Sequence, residues 1–361
     1  MYLICYGTRP EIIKVFPVIN AFTKNKIKFN TLFSGQHQDL FTQFKHIIPT
    51  PTFILDNIMT HNQTLNQLSS KILNKIDTIL LEHKDIQYII VQGDTTTAYS
   101  IAMAGFHHKK TIIHLEAGLR TFNKYSPYPE EINRTLLSRI ADIHLCPTEQ
   151  SIVNLQSEGI VNKVYLIGNT VVDAFEHIVS NYTMPHHIQK LIQAIVNKKY
   201  YIVTLHRREN RGDIMKLLWN QLNTLSSTHT FIYITHPSLP EAYTYLKDTI
   251  IKMDPQDYIS MVFLIKNSAG IITDSGGLQE EAVCAKKKVL VCRNTTERPE
   301  TISSGWGKLI HTNILNNIDF LDNSDNTGNT GNTTGDDSIP RINPYGTNVC
   351  DKIINIVQSL K

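Results

Sequence analysis

ITDSGGLQEEA, residues 272–282, reads as the end of a strand, a tight turn and the start of a helix. An apolar run stops at Asp274 and Ser275, two glycines follow, and an acid-rich segment of helical character begins. Gly276 and Gly277 carry no β carbons, so a phosphate can approach the backbone N–H groups closely, and the helix dipole favours that anion. Glu280 and Glu281 lie one turn further, where a carboxylate can reach a ribose hydroxyl. Gly-Gly after a strand equally suits a plain tight turn, so the surrounding pattern has to decide.

Outward from this stretch the chain alternates short apolar runs with helix-like segments. In the second half the strand-like runs are YYIVTLH (200–206), TFIYITH (230–236), SMVFLI (260–265), AGIITD (269–274) and KVLVCR (288–293). In the first half they are YLICYG (2–7), FNTLFSG (29–35), YIIVQGD (88–94), TIIHLEAG (111–118), DIHLCPT (142–148) and KVYLIGN (163–169). The runs are continuously apolar rather than alternating, which predicts parallel sheets covered on both faces. The expected fold is α/β, with two Rossmann-like doubly wound domains facing across a cleft. Residues 1–168 form the first domain and 169–345 the second. Residues 346–361 form a terminal helix of the kind that packs on a domain core. Within the second domain DNSDNTGNTGNTTGDD (322–337) is low-complexity and reads as a surface loop.

Composition narrows the function. Of 361 residues 41% are apolar, ordinary for a globular chain with ample core, and the formal net charge of +3 gives no support for a nucleic-acid or membrane-surface partner. No apolar run approaches the roughly 20 residues of a spanning helix, and the opening MYLICYGTRPE reads as a buried first strand rather than a signal peptide. The expected location is the cytoplasm. Five scattered cysteines without C-x-x-C spacing argue against a zinc site or a disulfide framework. With no G-x-G-x-x-G after the first strand, no Walker A sequence, no H-E-x-x-H and no nucleophile elbow, no cofactor and no metal are expected.

The polar motifs sit at strand ends, where open α/β sheets bind ligands. GTRPEIIK (7–14) places Arg9 and Lys14 around a helix start with Pro10 in its first turn, which suits a phosphate or a developing anion. QGDTTT (92–97) puts Asp94 just after a buried strand, either as an acid/base group or as a helix cap. HLEAGLRT (114–121) offers Glu116, and SPYPEEINR (126–134) offers Glu130 and Glu131. Asp94, Glu116 and Glu130 come from separate loops, and carboxylates in different environments are what acid/base chemistry at carbon requires. Glu131 stands three residues before Arg134, so it equally reads as an intrahelical ion pair. TLHRREN (204–210) ends a strand in His206, which could contact a diphosphate and supply a proton, with Arg207 beside it. His236, in THP, repeats the arrangement more weakly, and NTTERPE (294–300) brings Arg298 to the next strand end.

Taken together, GTRPEIIK, GQH (35–37), QGDTTT, HLEAGLRT, YSPYPEEINR, GNTVVDA (168–174), HRREN, TDSGGLQEEA, TTERPE and NPYG (343–346) resemble the UDP-N-acetylglucosamine 2-epimerase family, in the family order and over nearly the whole chain. The resemblance implies the glycosyltransferase-B arrangement of the two domains, with the terminal helix returning to the first. It implies removal of the C2 proton, expulsion of UDP to leave a bound 2-acetamidoglucal, and re-addition with reprotonation on the opposite face. Asp94, Glu116, Glu130 and His206 would be the catalytic groups. Arg9 and Lys14 would attend substrate and leaving UDP. Ser275, Gly276 and Gly277 would hold the diphosphate, Glu281 the ribose, and Arg298 the UDP end. The full SPYPEEINR segment is similar to the non-hydrolysing bacterial branch, and a homodimer is that family's expectation.

Several relatives in that branch carry a second, activating nucleotide sugar, and Gln36, His37, Glu131, Arg207 and His236 match its region. Two positions depart from that pattern: Asn62 stands where an arginine commonly precedes QTL, and Asp39 where a glutamine is often found. The nearest rival reading is a 2-epimerase for another UDP-2-acetamido sugar, such as a 6-deoxy one of the rhamnosamine or quinovosamine type. A hydrolysing epimerase and a non-catalytic nucleotide-sugar-binding regulator are the others.

Overall fold

The computed structural model describes residues 1–35, 44–195, 198–322 and 342–360. The chain divides into two compact units. Met1–Ala174 and Tyr345–Lys361 form the first, and Phe175–Pro344 the second.

The first unit is built on a seven-stranded sheet. Its strands are β1 (Tyr2–Tyr6), β2 (Phe29–Phe33), β3 (Phe53–Ile54), β4 (Tyr88–Gln92), β5 (Thr111–Leu115), β6 (Ile143–Cys146) and β7 (Val164–Leu166). They pair in the order β3-β2-β1-β4-β5-β6-β7, all parallel. Every residue of β1 is buried, as its unbroken apolar run requires. The helix Leu65–Glu82 lays Leu68, Ile72, Ile76 and Leu80, one turn apart, on the face made by Leu3, Cys5, Ile89 and Val91. Strand order reverses between β1 and β4, and it is at the carboxyl ends of strands at such a switch point that open α/β sheets bind ligands.

The second unit carries a six-stranded parallel sheet. Its strands are β8 (Tyr200–Thr204), β9 (Thr230–Ile234), β10 (Ile251–Met253), β11 (Gly270–Thr273), β12 (Val289–Val291) and β13 (Gly307–Leu309). The order is β10-β9-β8-β11-β12-β13. Leu218, Trp219 and Leu222 of the helix Asp213–Leu225 pack against Tyr201, Val203 and Tyr233. Trp219 Nε1 donates to the Tyr233 hydroxyl (3.0 Å), which donates to Leu205 O (3.2 Å), so the polar tips of both rings are satisfied inside the core.

One expected strand is a helix. SMVFLI (260–265) lies within the helix Tyr258–Asn267, and the strand at that place in the sheet is the shorter β10. A run of five apolar residues after Ser260, all buried, has no period to distinguish the two conformations. The signal lies just upstream, where the Asp257 carboxylate accepts from Ser260 N (2.9 Å) and Ser260 Oγ (2.8 Å) as an N-cap.

The chain leaves the first unit within the helix Val171–Asn181 and re-enters it at Tyr345. Gly168 has φ +98°, and a β carbon there would stand 2.4 Å from Tyr345 O. Only glycine admits the returning chain so closely. Asn169 N donates to the same carbonyl (2.9 Å), and Val349 N to Asp173 Oδ2 (3.1 Å). The helix Val349–Ser359 then packs on the helix Arg9–Lys24, burying Val349, Ile353, Ile354 and Val357. Tyr2 Oη donates to Val357 O (3.0 Å) and Tyr88 Oη to Leu360 O (2.9 Å), while the two tyrosine rings stack at 4.6 Å.

Among the described residues, no helix is long and apolar enough to cross a membrane, and no cluster of histidine, cysteine or acidic side chains could hold a metal ion. Gln36, His37, Asp39 and all of the Asn-rich stretch beyond Asp322 lie outside the described residues.

Candidate active site

In the first unit the site residues leave β1, β4 and β5, which are neighbours in the sheet. The loop after β1 is fixed by Glu11. The T-R-P-E sequence is a capping box, and Glu11 Oε2 accepts from Gly7 N (2.9 Å) and Thr8 N (2.6 Å). Its other oxygen accepts from Thr95 Oγ1 (2.7 Å), so one buried carboxylate ties the β1 loop to the β4 loop. Burial raises the Glu11 pKa, and these hydrogen bonds oppose the rise. Arg9, at the first position of the helix, is half-buried.

Glu116 follows β5 in left-handed backbone, φ +67°, an unfavourable conformation for a residue with a β carbon. Its carboxylate is paired with the ammonium of Lys14, both side chains being under a tenth exposed at 8% and 7%. Gln92 Nε2 (3.1 Å) and Asn169 Nδ2 (3.3 Å) donate to the same Oε2. Gln92 and Leu115 are register partners and Gly93 N donates to Leu115 O (2.9 Å), so Asp94 and Glu116 leave adjacent strands at one level.

Asp94 is held from several directions. Its carboxylate takes Nε (3.1 Å) and Nη2 of Arg134, and its carbonyl takes Asn133 Nδ2 (2.9 Å). His114 Nε2 lies 2.7 Å from Gly93 O, one residue away. Burial drives the His114 pKa down to about 3, keeping the ring neutral, so Nε2 donates to that carbonyl. The helix Glu130–Ile140 is thereby tied to Asp94 through its first turn, where Glu130 is half-buried. Glu131 is buried and fully engaged: Oε1 accepts from Thr121 N (2.9 Å) and Phe122 N (2.8 Å), and Oε2 from Arg134 Nη1 (3.1 Å).

In the second unit the helix Gly276–Cys284 opens at Ser275, whose N–H donates to Thr273 Oγ1 (2.9 Å). A β carbon on Gly276 would lie 2.7 Å from Arg298 Nη1, whereas one on Gly277 would meet nothing within 4 Å. The open side of this helix start is therefore at Gly277. Arg298 is buried and donates from Nε to Glu280 Oε1 (2.6 Å) and from Nη1 to Glu297 Oε1 (2.7 Å). Burial opposes ionisation of Glu297, but Arg298, Arg293 and Arg207 together outweigh it and hold its carboxyl well below the usual range. Arg207 reaches Glu297 at 3.5 Å. Glu281 is buried beside Glu280. His206 stacks on His236, ring centres 4.9 Å apart and planes 11° from parallel.

Several residues in these clusters escape a sequence reading: Glu11, Gln92, Asn169, Glu297, and Asp274 beyond its place as a strand terminus, together with the pairing of Arg134 with Asp94 and of Glu280 with Arg298. Glu11 has a local signal in the capping box, and Arg134 has one only for its pairing with Glu131, three residues before it. Lys14 to Glu116 spans 102 positions and Arg134 to Asp94 spans 40, distances over which no spacing rule operates.

A family model described as UDP-N-acetylglucosamine 2-epimerase matches residues 20–358. The chain belongs to the UDP-N-acetylglucosamine 2-epimerase family. A family relative from Yersinia pestis, of the same description, is 35% identical over 375 residues, covering 99% of this chain and 98% of its own. The crystal structure of UDP-GlcNAc 2-epimerase from Neisseria meningitidis bound to UDP-GlcNAc is similar at 33% identity and TM-score 0.85, over 100% of both chains. The glycosyltransferase SnogD from Streptomyces nogalater, at 11% identity, TM-score 0.58 and 87% of both chains, shares the fold alone.

Proposed function

We propose that this chain interconverts UDP-N-acetylglucosamine and UDP-N-acetylmannosamine without hydrolysis. The observation that carries the reading is the arrangement around Glu116. In a chain of the 2-epimerase family, a carboxylate in strained backbone is buried against Lys14, level with Asp94 on the next strand. The reaction removes the proton at C2 and breaks the C1–O bond to UDP, giving a bound 2-acetamidoglucal. UDP adds back to C1 while C2 takes a proton on the other face.

Two faces need two acid/base groups, and we assign them to the set Asp94, Glu116 and Glu130 in the first unit. Breaking the C–O bond places charge on the diphosphate, so cations and oriented N–H groups contribute most there. Arg9, Lys14 and His206 attend the leaving group, Ser275, Gly276 and Gly277 hold the diphosphate, Glu281 the ribose and Arg298 the UDP end. Gln36, His37, Arg207 and His236 are assigned to an activating second nucleotide sugar, and Glu131, whose oxygens are taken by Thr121 N, Phe122 N and Arg134, to holding the backbone beside it. We further assign the chain to nucleotide-sugar supply for surface glycans in the cytoplasm, as a homodimer.

Proton NMR of the protein with UDP-N-acetylglucosamine in deuterated water tests the reading. Deuterium at C2 and a UDP-N-acetylmannosamine signal are expected, both lost in Asp94→Asn and Glu116→Gln while UDP still binds. Free N-acetylmannosamine with UDP would move the chain to the hydrolysing branch. An unchanged spectrum would transfer the assignment to another UDP-2-acetamido sugar, with 6-deoxy substrates tested next.

A further inference from the structure

We propose that Asp274 is the positioning residue of His206, keeping the ring's proton on Nδ1 and facing it with a negative charge when the second nitrogen is protonated. The inference rests on the assignment of His206 to the leaving diphosphate. β11 pairs with β8, with Thr273 beside Thr204, so Asp274 emerges against the backbone of Leu205 and His206. It is 0% exposed. Its oxygens accept from His206 N (3.1 and 3.0 Å), Arg207 N (2.9 Å) and Asn210 Nδ2 (3.0 Å). Asn210 Nδ2 also donates to Cys292 O (2.9 Å). These bonds fold the chain after β8 into the short turn Arg208–Asn210 and leave His206 Nδ1 3.7 Å from Asp274 Oδ1.

All three donors are neutral N–H groups. Among the described residues no lysine or arginine nitrogen lies within 4 Å of this carboxylate, and the His206 ring is its one oppositely charged partner when protonated. A neutral acceptor could take the same N–H bonds without the desolvation cost of a fully buried charge. The charge acquires a use if the neighbouring ring becomes positive. The separation is looser than a hydrogen bond, as acid–base pairs commonly are before ligand binds.

The other charged groups around His206 work against protonation. Burial lowers its pKa most; Asp274 raises it; His236, stacked upon it, and Arg207, its sequence neighbour, lower it, with Arg211 acting on His236 in the same sense. Ser238 N donates to His236 Nδ1 (3.1 Å), so the neutral His236 ring carries its proton on Nε2. Asp274 is thus the group that favours a proton on His206. With Nδ1–H directed at it, Nε2 is the atom that exchanges a proton with a phosphate oxygen.

The test is ¹⁵N NMR of histidine-labelled protein across pH, with and without UDP. The wild type is expected to show the Nδ1–H tautomer at His206. Asp274→Asn is expected to lower the His206 pKa by about half a unit or more, and to reduce kcat at least tenfold with KM within threefold. Asn210→Ala, which removes a bond to Asp274 but no charge, is expected to leave that titration in place. An Nε2–H tautomer in the wild type overturns the proposal without any variant. So does an unmoved His206 titration in folded Asp274→Asn, or an equal shift in Asn210→Ala. If UDP leaves the His206 resonances unchanged while the Asp274 effects stand, the diphosphate assignment fails and the positioning role does not.

Discussion

A β carbon at Gly276 would have to displace the Arg298 guanidinium from Glu280 and Glu297, breaking two buried charge-assisted hydrogen bonds, while one at Gly277 would enter open space. Gly276→Ala is therefore expected to destabilise the second unit by about 1–3 kcal/mol. Gly277→Ala is expected to leave stability unchanged or raise it by up to ~1 kcal/mol through helix propensity, yet weaken UDP at least tenfold. Thermal melts and calorimetric titration of the two variants separate a packing glycine from a ligand-facing one. The sequence makes both glycines legible as a pair but not their division of labour, because Arg298 is 22 positions from Gly276 and its guanidinium folds back. The same holds for Asp94 and Glu116: their residue type and strand-end position are readable, whereas the arginine and lysine paired with them come from distant helices.

Among the elements, β5 and β6 place His114 and His144 side by side in register. Burial is the main cause that lowers both, to about 3 for His114 and about 4 for His144, from 6.5. The unfolded chain takes up these protons below pH 6.5 and the folded chain does not. Each ring thus contributes stability that is fully present above pH 6.5 and falls by about 1.4 kcal/mol per pH unit down to its folded pKa. Urea unfolding of the first unit is expected to show this slope between pH 6.5 and 4, and His144→Asn to reduce it by about that amount per pH unit. Neither histidine stands out in the sequence, where each sits in an apolar strand run. SMVFLI shows the complementary limit: strand and buried helix are written in the same residues, and Asp257 is the cue that separates them.

At the level of the whole molecule, both sheets were legible from continuous apolar runs, and the short strands β3, β10 and β13 were not, having two or three residues each. The return of the chain to the first unit is anchored by side chains that look unremarkable in sequence, among them Ile353. Ile353→Ala, which truncates a side chain 1% exposed, is expected to cost about 2–5 kcal/mol. Hydrogen exchange should locate the loss in β1, β4 and the helix Arg9–Lys24 rather than in β8–β13.

The position of those anchors bears on how the chain matures on the ribosome. Residues 175–344 are an uninterrupted stretch, whereas the sheet begun at Tyr2 stays without its covering helix until residues 345–360, which follow that whole stretch, have been made. The earlier-synthesised half therefore cannot finish before the later one has been made, and for most of translation its uncovered apolar face is open to chaperones.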